Sequence, residues 1–171
     1  MKHLVLVGLM GAGKTTVGER CARRLGRSFV DTDALVQTLT GHTVVELFDR
    51  FGESRFRAEE RRAVEDVCAS PEPLVISCGG GAVLDSENRT RLRTTGFVVW
   101  LTASPETLAL RVGRGDERPL LRASPASTLA RLAEARDEMY AAVAHARVDT
   151  ESRSASEVAD AVVEEYARCS G

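Results

Sequence analysis

Five short apolar runs recur along the chain, at residues 2–7, 28–31, 74–78, 97–101 and, more weakly, 147–150. Between them lie longer stretches whose apolar residues return every three or four positions, at 15–25, 33–40, 44–51, 53–69, 86–94, 105–112, 125–145 and 156–168. The first kind of pattern predicts strands and the second predicts amphipathic helices. Runs such as Leu4-Val5-Leu6-Val7 are apolar throughout rather than alternating, which marks strands covered on both faces. Strands of that kind separated by helices predict a single three-layer α/β/α domain over residues 1–171, built on a five-stranded parallel sheet. Ligands of such sheets gather at the carboxyl ends of the strands. The glycine-rich and carboxylate-rich segments of this chain fall there.

The first strand runs into Gly8-Leu9-Met10-Gly11-Ala12-Gly13-Lys14-Thr15-Thr16, a complete G-x-x-x-x-G-K-[ST] loop with a helix behind it. Glycines let the backbone N–H groups turn inward around phosphate oxygens, and the helix N-terminus adds favourable potential. Lys14 is placed to reach the β- and γ-phosphates, and the Thr15 hydroxyl to ligate Mg²⁺. A nucleoside triphosphate is therefore expected here. The second strand ends Asp31-Thr32-Asp33, whose alternate carboxylates face one side. Asp31 suits the metal's surroundings and Asp33 an acceptor hydroxyl, with helix N-capping as the plainer role for Asp33. The third strand ends in Gly79-Gly80-Gly81 with no carboxylate, a run that permits a close backbone approach.

Bulk properties narrow the partners. Net charge is −2 with 43% hydrophobic and 28% charged residues, so there is no basic field for nucleic acid. The four cysteines form no C-x-x-C pair, which points to reduced thiols rather than zinc or disulfides. No apolar stretch approaches membrane-spanning length, and the phosphate loop at Gly8 leaves no room for a leader peptide, so a cytoplasmic location is expected. Residues 112–124 hold two glycines, a proline and the arginines 114, 118 and 122, and are expected to be a mobile lid. Arg57 and Glu60, three apart on a helix, share one face; as a surface pair they would add only ~0–1 kcal/mol, so stability alone gives little reason for them.

Taken together, these segments resemble the shikimate kinase family, within the nucleoside-monophosphate-kinase group of P-loop proteins. The matching pieces are Gly8 to Thr16, Asp31-Thr32-Asp33, Gly52-Glu53 with Phe56-Arg57, Glu60, Gly79-Gly80-Gly81-Ala82-Val83, Arg118-Pro119-Leu120-Leu121, and Arg136 followed by Tyr140. The GGGA run and the R-P-L-L segment are far more specific than the phosphate loop. Met10, Ala12 and Cys78 depart from the pattern without changing a charged group.

The resemblance implies transfer of the ATP γ-phosphoryl group, with Mg²⁺, to the 3-hydroxyl of shikimate, on the route to chorismate and the aromatic amino acids. It implies Lys14, Asp33 and Arg118 as catalytic residues. ATP would be held by Gly11, Ala12, Gly13, Lys14, Thr15, Thr16, Arg111 and Arg118, with Arg111 against adenine. Shikimate would be held by Asp33, Arg57, Glu60, Gly79, Gly80, Gly81 and Arg136, and the metal by Thr15 and Asp31. Acceptor-binding helices would span about residues 32–69, and a monomer is the expected state. The readings set against it are a gluconate or aminoshikimate type of kinase and a non-catalytic nucleotide-binding module.

Overall fold

A computed structural model describes residues 2–113 and 125–170. Five strands, β1 (His3–Val7), β2 (Phe29–Asp31), β3 (Val75–Ser77), β4 (Gly96–Thr102) and β5 (Ala146–Asp149), form one sheet in the order β2-β3-β1-β4-β5. All four pairings are parallel, with Leu4 beside Val75 on one edge of β1 and beside Phe97 on the other. Every strand boundary lies within one residue of the sequence expectation. The central strand explains why: Leu4, Val5 and Leu6 are completely buried, as a strand with helices on both faces must be.

Eight helices surround the sheet among the described residues: α1 (Lys14–Leu25), α2 (Thr32–Thr40), α3 (Val44–Phe51), α4 (Glu53–Cys68), α5 (Ser86–Thr95), α6 (Pro105–Val112), α7 (Pro125–Val143) and α8 (Ala155–Ser170). A single 3₁₀ turn, Ala82–Leu84, follows the glycine triplet and has no counterpart in the sequence expectation. Three residues carry too little periodicity to announce a helix.

The helices that follow β2 have a core of their own. Val36, Leu47, Phe56 and Ala63 are buried together between α2, α3 and α4, apart from the main core on the sheet. Phe48 and Phe56 pack with ring centroids 4.8 Å apart. At eight residues, α3 is too short to persist unaided. A capping box between Thr43 and Glu46 fixes its start, and buried Leu47 pins its face. Burying a leucine contributes ~1.5–3 kcal/mol. This small cluster ties together the three helices that follow β2.

Candidate active site

The turn from β1 into α1 has the strand, glycine turn and helix geometry of a P-loop. Gly11 is left-handed (φ 83°), and a Cβ there would stand 2.8 Å from the Leu108 carbonyl oxygen, so both backbone and space demand glycine. That close approach seats the loop directly against α6. A cleft of about 890 Å³ opens above it, lined by Gly11, Gly13, Lys14, Thr15, Thr16 and Asp31. Lys14 is buried, with Nζ donating to the Leu9 carbonyl at 3.0 Å. Ala12 stands apart from the other loop residues: its side chain is in the core and its N–H donates to the Leu9 carbonyl at 3.2 Å.

Capping falls to Asp31 and not to Asp33. Asp31 Oδ1 accepts from the N–H groups of Asp33 at 3.0 Å and Ala34 at 3.3 Å, so α2 starts at Thr32. Asp31 Oδ2 points the other way and accepts from the Thr15 hydroxyl at 2.8 Å. One carboxylate thus fixes a helix start with one oxygen and meets the phosphate loop with the other. Asp33, relieved of capping, projects into the clefts.

A second cleft, about 400 Å³, adjoins the first and is lined by Asp33, Arg57, Glu60, Gly80, Gly81 and Arg136, with an apolar wall of Val44, Phe48 and Phe56. Met10, Asp33 and Gly80 line both clefts. Arg57 is held from two sides: Nη1 donates to Glu60 Oε2 at 2.7 Å, and Nε and Nη2 donate to Glu53 Oε1 at 3.2 and 3.1 Å. Glu60 is only 2% exposed, so this is no surface pair as the spacing alone implied. Burial pushes the Glu60 carboxyl above its ordinary range, against the pull of Arg57. Arg136 is buried too, and its Nη1 donates to the Gly80 carbonyl at 3.1 Å.

The glycine triplet makes room for side chains more than for turns. A Cβ on Gly81 would lie 2.0 Å from Arg57 Nη1, and one on Gly79 would lie 2.5 Å from Asp33 Oδ1 and 2.7 Å from Glu60 Oε1. At Gly80 it would meet nothing nearer than 3.6 Å. The flanking glycines therefore let the acidic and guanidinium groups reach the cleft floor, while Gly80 presents its backbone.

Arg111, in the last turn of α6, sits at the rim of the phosphate cleft, with its guanidinium on the Thr150 hydroxyl and carbonyl, both at 2.8 Å. Of the expected lid, only Val112, the last residue of α6, and Gly113 are among the described residues; Arg118 and the rest of it lie outside them. Sequence reasoning missed the wall of Val44 and Phe48, whose four-residue spacing reads equally well as helix core. Of the described helices, none is long and apolar enough to cross a membrane.

Comparison with known proteins agrees with this arrangement. The family model described as shikimate kinase matches residues 10–167. The chain is 50% identical over 165 residues to the shikimate kinase of Symbiobacterium thermophilum, covering 95% of this chain and 94% of that one. It superposes on a shikimate kinase from Acinetobacter baumannii in complex with shikimate with a TM-score of 0.95 at 35% identity, over 99% of this chain and 94% of that one. A gluconokinase from Sinorhizobium meliloti, 22% identical over 98% of this chain and 93% of its own, shares the fold alone, with a TM-score of 0.67. With the P-loop fold, the paired clefts and this likeness over nearly its full length, the chain belongs to the shikimate kinase family of phosphotransferases.

Proposed function

We propose that this kinase transfers the γ-phosphoryl group of ATP to the 3-hydroxyl of shikimate. The observation that carries the reading is the meeting of the two clefts at Met10, Asp33 and Gly80, which puts an acceptor pocket with two arginines directly beside the phosphate loop. Phosphoryl transfer depends mainly on in-line positioning and on neutralising charge around the moving group. Guanidinium forks match a carboxylate, so Arg57 and Arg136 hold the acceptor's carboxylate, with Glu60 and Glu53 steering Arg57. Asp33 accepts the hydrogen bond of the attacking hydroxyl and takes its proton. The apolar wall of Val44, Phe48 and Phe56 covers the ring face of the acceptor. Lys14 neutralises the phosphate oxygens, and Arg111 and Arg118 serve the nucleotide.

The metal that accompanies the nucleotide is Mg²⁺ in this reading. Thr15 Oγ1 and Asp31 Oδ2, 2.8 Å apart at the mouth of the loop, are hard oxygen donors of the kind Mg²⁺ takes. When bound, the ion supplies positive charge to the phosphate oxygens. In this reading the enzyme works in the cytoplasm as a monomer, because the described lining of both clefts comes from one chain.

A coupled assay of ADP release with shikimate, gluconate or no acceptor tests the reading. Release with shikimate only is the expected result. Release with gluconate alone would move the chain to another acceptor, and tight ATP binding with no release would make it a binding module.

A further inference from the structure

Tyr140 is completely buried on α7, and its hydroxyl donates to the Gly80 carbonyl at 2.5 Å across 60 residues of chain. Arg136, one turn earlier on the same helix face, donates to the same oxygen at 3.1 Å. That carbonyl belongs to the one glycine of the triplet that lines both clefts. Two donors from α7 fix the plane of the Gly80–Gly81 peptide, because a planar amide turns as one body. The tyrosine is itself clamped: Trp100 of β4 stacks on it at 5.6 Å and 23°, and the Arg147 guanidinium lies 4.8 Å over the indole. Burial pushes the phenol well above its ordinary range, so the group remains a donor. A buried phenylalanine would serve the packing equally well; the hydroxyl's partners are the Gly80 carbonyl and the Arg136 guanidinium, both at the cleft floor.

We infer that Tyr140 is a positioning residue for the acceptor side of the reaction. Its hydroxyl holds the Gly80 carbonyl and the Arg136 guanidinium in one fixed arrangement, which aims the N–H groups of Arg136 that do not meet Gly80 or Tyr140 at the acceptor carboxylate. The arrangement also joins the cleft floor to Trp100, the only tryptophan of the chain. Occupation of the acceptor cleft is transmitted through Gly80 and Tyr140 to the indole, whose emission reports it. The inference rests on the proposed function, since it takes a carboxylated acceptor as the ligand.

The test is Tyr140→Phe in the full chain, with steady-state kinetics for both substrates, thermal unfolding, and tryptophan emission during a shikimate titration. One hydrogen bond to a carbonyl predicts a rise of about three- to tenfold in the shikimate KM. The ATP KM should hold within about twofold, the melting temperature should fall by no more than roughly 2–6 °C, as one hydrogen bond costs, and the wild-type emission change on adding shikimate should shrink. Tyr140→Leu, which also loses the stack on Trp100, should add a fall in melting temperature without a further selective loss for shikimate. An unaltered shikimate KM in Tyr140→Phe, or equal losses for both substrates with a lowered melting temperature, would overturn the assignment by leaving only packing. Absence of shikimate-dependent turnover in the wild type would instead overturn the proposed function, and this assignment with it.

Discussion

Gly81→Ala makes a sharp test of how the acceptor cleft is built. Gly81 has φ −100°, a backbone any residue adopts, so alanine there carries no torsional strain. The whole effect must come from space. The added methyl would stand 2.0 Å from Arg57 Nη1 and 2.5 Å from both Cζ and Nη2, so the guanidinium has to leave. In leaving it gives up the 2.7 Å contact with Glu60 and its place on the cleft wall. A charge-assisted hydrogen bond to a ligand is worth ~1.5–3 kcal/mol. The expected loss in kcat/KM for shikimate is therefore about 10- to 150-fold at 1.4 kcal/mol per decade, with the KM for ATP unaffected. Gly80→Ala is the steric comparison: a Cβ there meets only ordinary contacts at 3.6–3.8 Å and leaves the Arg57 guanidinium in place, so any loss it shows arises at the cleft floor itself. Initial rates across a shikimate series at saturating ATP, with thermal unfolding of each variant, read the outcome. Wild-type shikimate kinetics for Gly81→Ala would refute the packing of Arg57 on glycine as the basis of the clamp.

Asp33→Asn should lower kcat by about 10²–10⁴ while nucleotide binding, followed by calorimetry, stays near wild type; turnover within threefold or so of wild type would end the role given to Asp33. At Asp31 the two oxygens can be separated by substitution. Asp31→Asn keeps a good cap and should unfold like wild type while needing more Mg²⁺ for half-maximal rate; Asp31→Ala should add a loss of about 1 kcal/mol, seen as a melting temperature lower by roughly 2–4 °C. Stability should also fall with acid through His3 and His145. Their Nδ1 atoms accept from Leu74 N–H and Val98 N–H, each at 3.0 Å, and burial first of all holds both imidazoles below the usual 6.5. The unfolded chain thus takes up the protons more readily, so their contribution is complete above about pH 6.5 and is lost as pH falls from there toward the lowered folded values. Melting temperatures between about pH 7.5 and pH 5 check this, and His3→Gln with His145→Gln should flatten the curve by accepting without titrating; an unaltered slope would refute it.

The sheet was legible because its strands are short, apolar throughout and set between helices of clear period, which leaves one architecture open. The phosphate loop was legible because its chemistry is local, with every residue within nine positions. What escaped was chemistry made by distant partners. Spacing put Glu60 on one helix face with Arg57, and resemblance gave it a place at the acceptor, but its near-complete burial and close approach to Gly79 show only in the structure. The sharing of work between Asp31 and Asp33 depends on where α2 starts, and a shift of one residue decides it. The two glycines flanking Gly80 read as a ligand's landing place, whereas they accommodate Asp33, Glu60 and Arg57 of the chain itself. Tyr140 carries no local sign of its contact with Gly80.

The strand order has a consequence for the birth of the enzyme. β1, which leads into the phosphate loop, is synthesised first, yet its neighbours are β3 and β4, so its second edge stays unpaired until residues 96–102 have been made. The cleft floor is tied down later still, when α7 delivers Arg136 and Tyr140 to Gly80. Parallel pairings between remote segments form late because long loops must close first. A chain still on the ribosome therefore holds the residues for nucleotide well before it holds an acceptor site. The acceptor site is completed only when synthesis has reached Arg136 and Tyr140, within the last third of the sequence.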